Sequence, residues 1–215
     1  MNQIILYRIL LVIAVVAIIV LSVRLFSNKK ETEIIVKEGE EEPVNSEKWV
    51  KTAPQQIVEN PITLAKDGWF ALATGKEDDM NAMTISWATI GHLWERPVLT
   101  VYVHPKRYTH GLMERNDYFT VTSFSEKDRE KLSYLGSHSG RNEDKIKNAG
   151  LTVEYTELGN PTFTDGRLMI ECRKLYSGTF DPTGFHQEKN SVFSEDDISI
   201  YTMYIGEIVN VWVKE

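Results

Sequence analysis

An apolar run near the N-terminus constrains this chain more than any other feature of the sequence. Every residue from Ile9 to Leu21 is apolar, and Ile4–Tyr7 and Val23 extend the run to about twenty residues, enough for a helix to cross a bilayer. A cleaved signal peptide is the competing interpretation, but no small-x-small cleavage pattern comes after Leu21. Residues 1–26 are therefore predicted to be an uncleaved, single-pass membrane anchor.

The charges around this anchor do not assign the side of the membrane. Arg24, Lys29 and Lys30 come after the apolar run, whereas Arg8 lies before most of it, and this asymmetry favours a cytoplasmic domain. A short N-terminal signal-anchor more usually sends the domain behind it outside. The predicted localisation is therefore the membrane, with both orientations open.

Residues 27–48 differ in composition from the anchor and from the rest of the chain. They are polar and acidic, with the run Glu40–Glu42 next to Pro43, and their apolar content is too low to form a core. This stretch is predicted to be a flexible tether. The composition becomes mixed from Trp49 onward, which predicts one globular domain over residues 49–215.

Composition and motif spacing exclude several classes of function. The net charge of −7 argues against nucleic acid as the partner, because phosphate binding would require a basic face. Cys172 is the single cysteine, which excludes an intrachain disulfide and a cysteine-based zinc or iron-sulfur site. No two histidines have the H-x-x-x-H spacing, so no metal site is predicted. Ser137, His138 and Asp144 are close in sequence, but this closeness is weak evidence for a catalytic triad.

The region after Lys66 has the pattern of an antiparallel barrel with a few short helices. Strands rich in β-branched and aromatic residues are predicted over 69–74, 83–89, 98–103, 118–124, 168–176 and 198–213. Connections are predicted at Lys76–Asp79, which suits a hairpin, and at Glu95–Pro97. Helices are predicted over 109–116, 126–135 and 142–149.

Three clusters have compositions that could bind a ligand, although each also has an ordinary structural interpretation. Residues 81–87 place small hydroxyl side chains on a strand beside Trp87, and alone they could form a half-solvated strand. Residues 104–109 join a strand to a helix that Thr109 is placed to cap, with Lys106 and Arg107 just before it. This arrangement could cradle a phosphate or could be a capped surface turn.

The third cluster is the glycine-containing segment 136–141, with Asp144 and Lys145 shortly after it. Its glycines would let the backbone approach a ligand, and Arg141 and Lys145 could reach an anion. By itself it is equally well explained as a loop before a helix.

Taken in order, these clusters resemble the flavin reductase-like, FMN-binding split-barrel family. The resemblance covers roughly residues 61–213 and is carried by the segments 81–124, 134–146, 166–176 and 203–211. It implies a mainly β fold, a six-stranded Greek-key split barrel with short flanking helices. It also implies a homodimer that binds FMN noncovalently near the subunit interface.

The resemblance gives the clusters their expected roles. The isoalloxazine ring is expected on the strand segment of Met83, Thr84, Ile85, Ser86 and Trp87. The FMN phosphate is expected at Arg107, Thr109, Ser123 and Lys145, with His138, Ser139 and Arg141 closing the site.

In such a site the flavin carries the hydride or electron transfer, so no catalytic side chain is predicted. NAD(P)H is the expected donor on resemblance alone, because the chain has no G-x-G-x-x-G fingerprint. The alternative is an FMN-binding electron carrier or ligand-binding module without efficient NAD(P)H turnover. Two further interpretations are open: a haem protein with His138 or His104 as an axial ligand, and an interaction barrel without a cofactor.

Overall fold

The computed structural model describes residues 48–185 and 200–214. The predicted membrane anchor lies outside this part of the chain, as does the predicted tether apart from Lys48. Within the described ranges, no helix is long and apolar enough to cross a membrane.

The described residues form ten strands and four α-helices. The strands are β1 (Trp49–Thr52), β2 (Phe70–Lys76), β3 (Asp79–Ile85), β4 (Ala88–Leu93), β5 (Arg96–Val103), β6 (Tyr118–Ser123), β7 (Val153–Tyr155), β8 (Pro161–Phe163), β9 (Leu168–Thr179) and β10 (Thr202–Lys214). The helices are α1 (Pro61–Asp67), α2 (Tyr108–Arg115), α3 (Arg129–Ser137) and α4 (Lys145–Asn148).

Eight of these strands form one antiparallel sheet in the order β3-β2-β6-β9-β10-β5-β4, with β1 added beside β10. The expected count of six strands was too low. The segment predicted as one strand over 83–89 is divided at Ser86–Trp87 into the end of β3 and the start of β4, and β1 was not predicted. The short strands β7 and β8 pair with each other.

The two long strands β9 and β10 curve the sheet. Their register shifts between Ile205 and Gly206 and again between Ile208 and Asn210, and such bulges bend a strand pair. Gly206 is required at the first bend, because a Cβ there would lie 2.7 Å from the Phe119 ring and from the Cys172 Cβ.

Apolar side chains fill the space on both sides of this sheet. Phe70, Phe119 and Tyr204 are completely buried in the main core. A second cluster includes Leu132 and Leu135 of α3, which pack with Phe163 of β8. Helix α3 is thereby fixed over β3, where the first predicted ligand cluster lies.

The predicted connections are confirmed at one place and displaced at the other. Strands β2 and β3 form the expected hairpin, with Lys76 paired to Asp79. The next hairpin turns at Trp94 and Glu95, both with positive φ (51° and 57°), whereas Arg96 and Pro97 already belong to β5. Two successive positive φ angles match the twist of a tight hairpin, although glycine or asparagine usually supplies them.

Candidate functional site

The strand segment predicted to hold a ring lines an open cleft. Met83 and Ile85 are buried in the main core, whereas Ser86 and Trp87 are exposed where β3 passes into β4. The Thr84 hydroxyl donates a hydrogen bond to the carbonyl oxygen of Leu132 at 2.6 Å, which ties β3 to α3. Thr84 therefore positions the helix as well as lining the cleft.

This space, which we call the ring cleft, has a volume of about 380 Å³. The residues lining it are Met83, Thr84, Ile85, Ser86, Trp87, Tyr102, His104, Arg107 and Tyr201. The five residues of the strand segment and Arg107 were predicted from the sequence. Tyr102 and Tyr201 were not, because they come from β5 and from the residue before β10, far from the other clusters in sequence.

A second space, the anion cleft, has a volume of about 270 Å³ and lies between the start of α2 and the end of α3. Its lining residues are Lys106, Arg107, Tyr108, Thr109, Ser137, His138, Ser139, Gly140, Arg141 and Lys145. Four of these ten residues are cationic and none is acidic, although the whole chain has a net charge of −7. This local excess of positive charge favours an anionic ligand.

Arg107 lines both clefts and is held by α3. Its Nη2 atom donates a hydrogen bond to the carbonyl oxygen of Gly136 at 2.7 Å, in the last turn of that helix. Helix C-terminal carbonyls attract cations, so the backbone of α3 fixes a positive charge where the two clefts meet.

Lys145 is the most buried cation of the anion cleft, with 3% of its surface exposed. Its Nζ atom donates to the carbonyl oxygens of Leu135 at 2.9 Å and His138 at 3.1 Å. Burial, together with the nearby positive charge of Arg107, lowers the pKa of Lys145 to about 8. An anion between these two cations would relieve their repulsion.

Arg141 and His138 form the outer side of the anion cleft. The Arg141 guanidinium lies over the ring of Tyr108, 5.3 Å from its centroid, and donates to the carbonyl oxygen of Lys106 at 3.0 Å. The His138 ring stacks on Tyr134, with the two centroids 3.8 Å apart. Both side chains are therefore held at the cleft by specific contacts, and the Ser139 hydroxyl accepts a hydrogen bond from the Arg141 backbone at 3.3 Å.

Thr109 lies in the anion cleft but does not cap α2. The helix begins one residue earlier, at Tyr108, with Arg107 as the N-cap residue and no side-chain cap. Thr109 is 1% exposed, and its Oγ1 atom accepts a hydrogen bond from Nδ2 of Asn81 at 2.8 Å. That bond leaves the hydroxyl proton of Thr109 available to donate.

Ser123 is the one predicted site residue that lies in neither cleft. It is completely buried at the end of β6, paired with Leu168 of β9. Within the described residues, its Oγ atom is the only buried side-chain nitrogen or oxygen without a hydrogen-bond partner. The expectation that it meets the phosphate has no support from its position.

The fold and these clefts define a class of protein: a mainly β split barrel with short helices and a cationic cleft joined to a ring-sized one. The chain belongs to the flavin reductase-like family, because the model of the "Flavin reductase like domain" matches residues 67–215. The resemblance seen in the sequence is thereby confirmed. No curated protein matches the chain.

Solved structures with similar folds include three that are named for their flavin. The FMN-binding domain of a flavin reductase-like enzyme from Shewanella baltica is 16% identical, with 79% of this chain and 78% of that chain covered and a TM-score of 0.58. Flavoredoxin from Methanosarcina acetivorans is 23% identical, with 69% of each chain covered and a TM-score of 0.55. Flavoredoxin of Desulfovibrio vulgaris is 27% identical, with 68% of this chain and 69% of that chain covered and a TM-score of 0.52.

Proposed function

We propose that the protein is an FMN-dependent oxidoreductase. The observation that carries the proposal is the position of Arg107, which lines both the ring cleft and the four-cation anion cleft. FMN consists of a flat ring with an apolar edge, joined to a phosphate. It therefore requires a cleft for the ring next to a cationic cleft for the phosphate. The names of the similar structures, which include FMN-binding and flavoredoxin proteins, support the same cofactor.

The residues present fit this cofactor. Met83, Ser86 and Trp87 would contact the isoalloxazine ring, with an apolar wall on one side and backbone and hydroxyl groups on the other. Arg107, Lys145 and the Thr109 hydroxyl would hold the phosphate through charge-assisted hydrogen bonds. When bound, FMN supplies hydride or electron transfer, for which the chain needs no nucleophile or general base.

The visible spectrum of the purified protein with added FMN tests this proposal. Flavin absorbance should co-purify with or be retained by the protein, and anaerobic NADH or NADPH should bleach it if a nicotinamide is the donor. Bands that persist with both nicotinamides but respond to dithionite would favour the alternative function, an FMN-binding electron carrier. Absence of retained flavin would overturn the proposal.

We also propose that residues 1–26 anchor this domain to a membrane. The support is the length of the apolar run from Ile9 to Leu21 and its extensions. Full-length protein should sediment with membranes and resist alkaline extraction, whereas a variant lacking residues 1–26 should be released. Recovery of the full-length protein in the soluble fraction would contradict the anchor.

A further inference from the structure

Two arginines bridge the anion cleft in opposite directions. Arg107, just before α2, donates a hydrogen bond to the carbonyl oxygen of Gly136 in α3 at 2.7 Å. Arg141, which comes after α3, donates to the carbonyl oxygen of Lys106 at 3.0 Å, one residue before Arg107. Each bridge therefore starts on one side of the cleft and ends on the backbone of the other side. We call the two bridges together the arginine clamp.

Close packing holds the loop that carries Arg141. A Cβ on Gly140 would lie 2.3 Å from Oδ1 of Asn81 and 3.1 Å from the ring of Tyr108, so the loop is seated directly on β3 and α2. The Arg141 guanidinium also lies over the Tyr108 ring. A movement of the loop that opens the cleft would break the hydrogen bond to Lys106, the ring contact and this packing together. Opening of the clamp therefore requires a concerted rearrangement and not the rotation of one side chain.

The clamp can hold an anion while it is closed. A guanidinium has five N–H donors, and a bridge to one carbonyl oxygen leaves others for a ligand. A phosphate dianion accepts charge-assisted hydrogen bonds from several cations at once, so one phosphate can link Arg107, Arg141 and Lys145, which all line the anion cleft. A bound phosphate would thus make the closed state of the clamp more stable.

We propose that the arginine clamp retains the phosphate end of FMN throughout the redox cycle, so that FMN is a resident cofactor and not a substrate that leaves after reduction. The redox chemistry of FMN takes place on the isoalloxazine ring and leaves the charge of the phosphate unchanged. A clamp on the phosphate therefore holds oxidised and reduced flavin equally well. This inference rests on the proposed function, because it takes FMN as the ligand of the two clefts.

The test is an isotope chase on the full-length protein. Protein loaded with labelled FMN is mixed with excess unlabelled FMN, and rapid gel filtration follows the label that stays with the protein. The chase is carried out with oxidised flavin and, under anaerobic conditions, after reduction by dithionite. We expect slow release of both forms, at rates that agree within fivefold. A larger acceleration after reduction would identify FMN as a substrate and overturn the proposal, as would complete release of either form before the first time point.

Arg141→Lys separates the clamp from its charge, because lysine keeps the cation but lacks the planar fork of the guanidinium. Loss of this bridge should speed both the association and the release of FMN by at least fivefold, as measured in stopped flow by the fluorescence of the flavin. The dissociation constant should change less than either rate. Faster release with unchanged association would show that Arg141 is only a contact to the ligand, and the clamp would then be wrong. Two unchanged rates would have the same consequence.

Riboflavin and a second arginine variant provide the controls. Riboflavin lacks the phosphate, so its association and release should be the same in the wild type and in Arg141→Lys. Arg173 on β9 pairs with Glu207 and lines neither cleft, so Arg173→Ala should exchange FMN as the wild type does. If Arg141→Lys alters riboflavin exchange as much as FMN exchange, the effect does not depend on the phosphate and the clamp is refuted.

Inorganic phosphate distinguishes failure of the clamp from failure of the proposed function. If the protein retains no FMN, the proposed function fails, but exchange of inorganic phosphate with the flavin-free protein still tests the clamp. Line broadening in the phosphorus NMR spectrum measures this exchange, which should be at least fivefold slower in the wild type than in Arg141→Lys. Equal exchange rates in the two proteins would contradict the clamp even where FMN binds.

Discussion

Arg107 is the residue on which the two clefts depend, because it lines both and is fixed by the carbonyl of Gly136. Arg107→Ala should weaken FMN binding by about 1.5–3 kcal/mol, the usual contribution of a hydrogen bond to a charged group. Quenching of flavin fluorescence on titration measures this affinity. Arg96→Ala is the matched control: Arg96 of β5 pairs with Glu207 and lines neither cleft, so its loss should leave affinity unchanged. Equal affinities of the two variants would remove Arg107 from the phosphate site.

Lys145 should make FMN affinity depend on pH. Its pKa in the free protein is lowered to about 8, and a bound phosphate dianion would raise it by favouring the charged ammonium. Affinity should therefore be constant below that pKa and fall above it, by up to about tenfold per pH unit, because binding then takes up one proton. The FMN phosphate is already a dianion above pH of about 7, so its own ionisation does not contribute.

Dissociation constants measured from pH 6.5 to 9.5 check this dependence. Lys145→Met should bind FMN more weakly and lose the slope. Riboflavin, which has the ring without the phosphate, should show no slope with the wild type. A flat wild-type profile for FMN would contradict the assignment of Lys145.

Individual residues show which parts of the site can be predicted from the sequence and which cannot. Arg107, Arg141 and Lys145 could be proposed as anion-binding residues because cations beside helix ends and glycines form a local pattern. Ser123 belongs to no such pattern and was expected at the phosphate only from the family resemblance, and it is completely buried at the end of β6. Tyr201 is about a hundred residues from the other members of the ring cleft, and only the pairing of β10 with β5 brings it there.

At the scale of elements, the loop of residues 138–141 packs closely against β3 and α2, and this packing fixes the shape of the anion cleft. A Cβ on Gly140 would lie 2.3 Å from Oδ1 of Asn81, whose amide group orients Thr109. Gly140→Ala should therefore displace Asn81 and weaken FMN binding, at a cost of about 1–3 kcal/mol. Calorimetric titration with FMN measures the effect.

Gly111→Ala provides the control for this loop. Gly111 lies in α2, where the nearest atom to an added Cβ is the Arg115 guanidinium at 3.7 Å. This variant should bind FMN as the wild type does and be slightly more stable, because alanine favours a helix by about 0.5–1 kcal/mol over glycine. Wild-type affinity in Gly140→Ala would show that the loop is not part of the site.

The elements themselves were largely predictable, and the errors have physical causes. The pattern of 83–89 predicts one strand, but the strand is interrupted at Ser86–Trp87, and both of these residues line the ring cleft. Helix α3 extends to Ser137 through Gly136, a residue that disfavours helices. Gly136 packs against Thr84, with an added Cβ only 3.1 Å from the Thr84 Cβ, and this tertiary contact is not visible in local sequence.

At the scale of the whole molecule, an apolar groove continues from the ring cleft to α1. Its lining includes Ile62, Ala65 and Ile90, and it shares Ser86, Trp87 and Tyr102 with the ring cleft. Ile62 is 73% exposed on α1 and lies at the edge of this groove, so it extends the apolar surface that the groove offers. We propose that a second copy of the chain covers this groove, in agreement with the homodimer implied by the family resemblance.

Ile62→Asp should abolish the proposed dimer, because an unpaired carboxylate buried at an interface costs several kcal/mol. Sedimentation velocity over a range of protein concentrations measures the shift. Leu158→Asp is the control, since Leu158 is exposed in the β7–β8 connection and does not line the groove. The monomeric variant should also bind FMN several-fold more weakly, because the groove and the ring cleft share three lining residues and the coupling of their occupants is reciprocal. A wild type that sediments as a monomer, or an Ile62→Asp variant that remains dimeric, would contradict this interface.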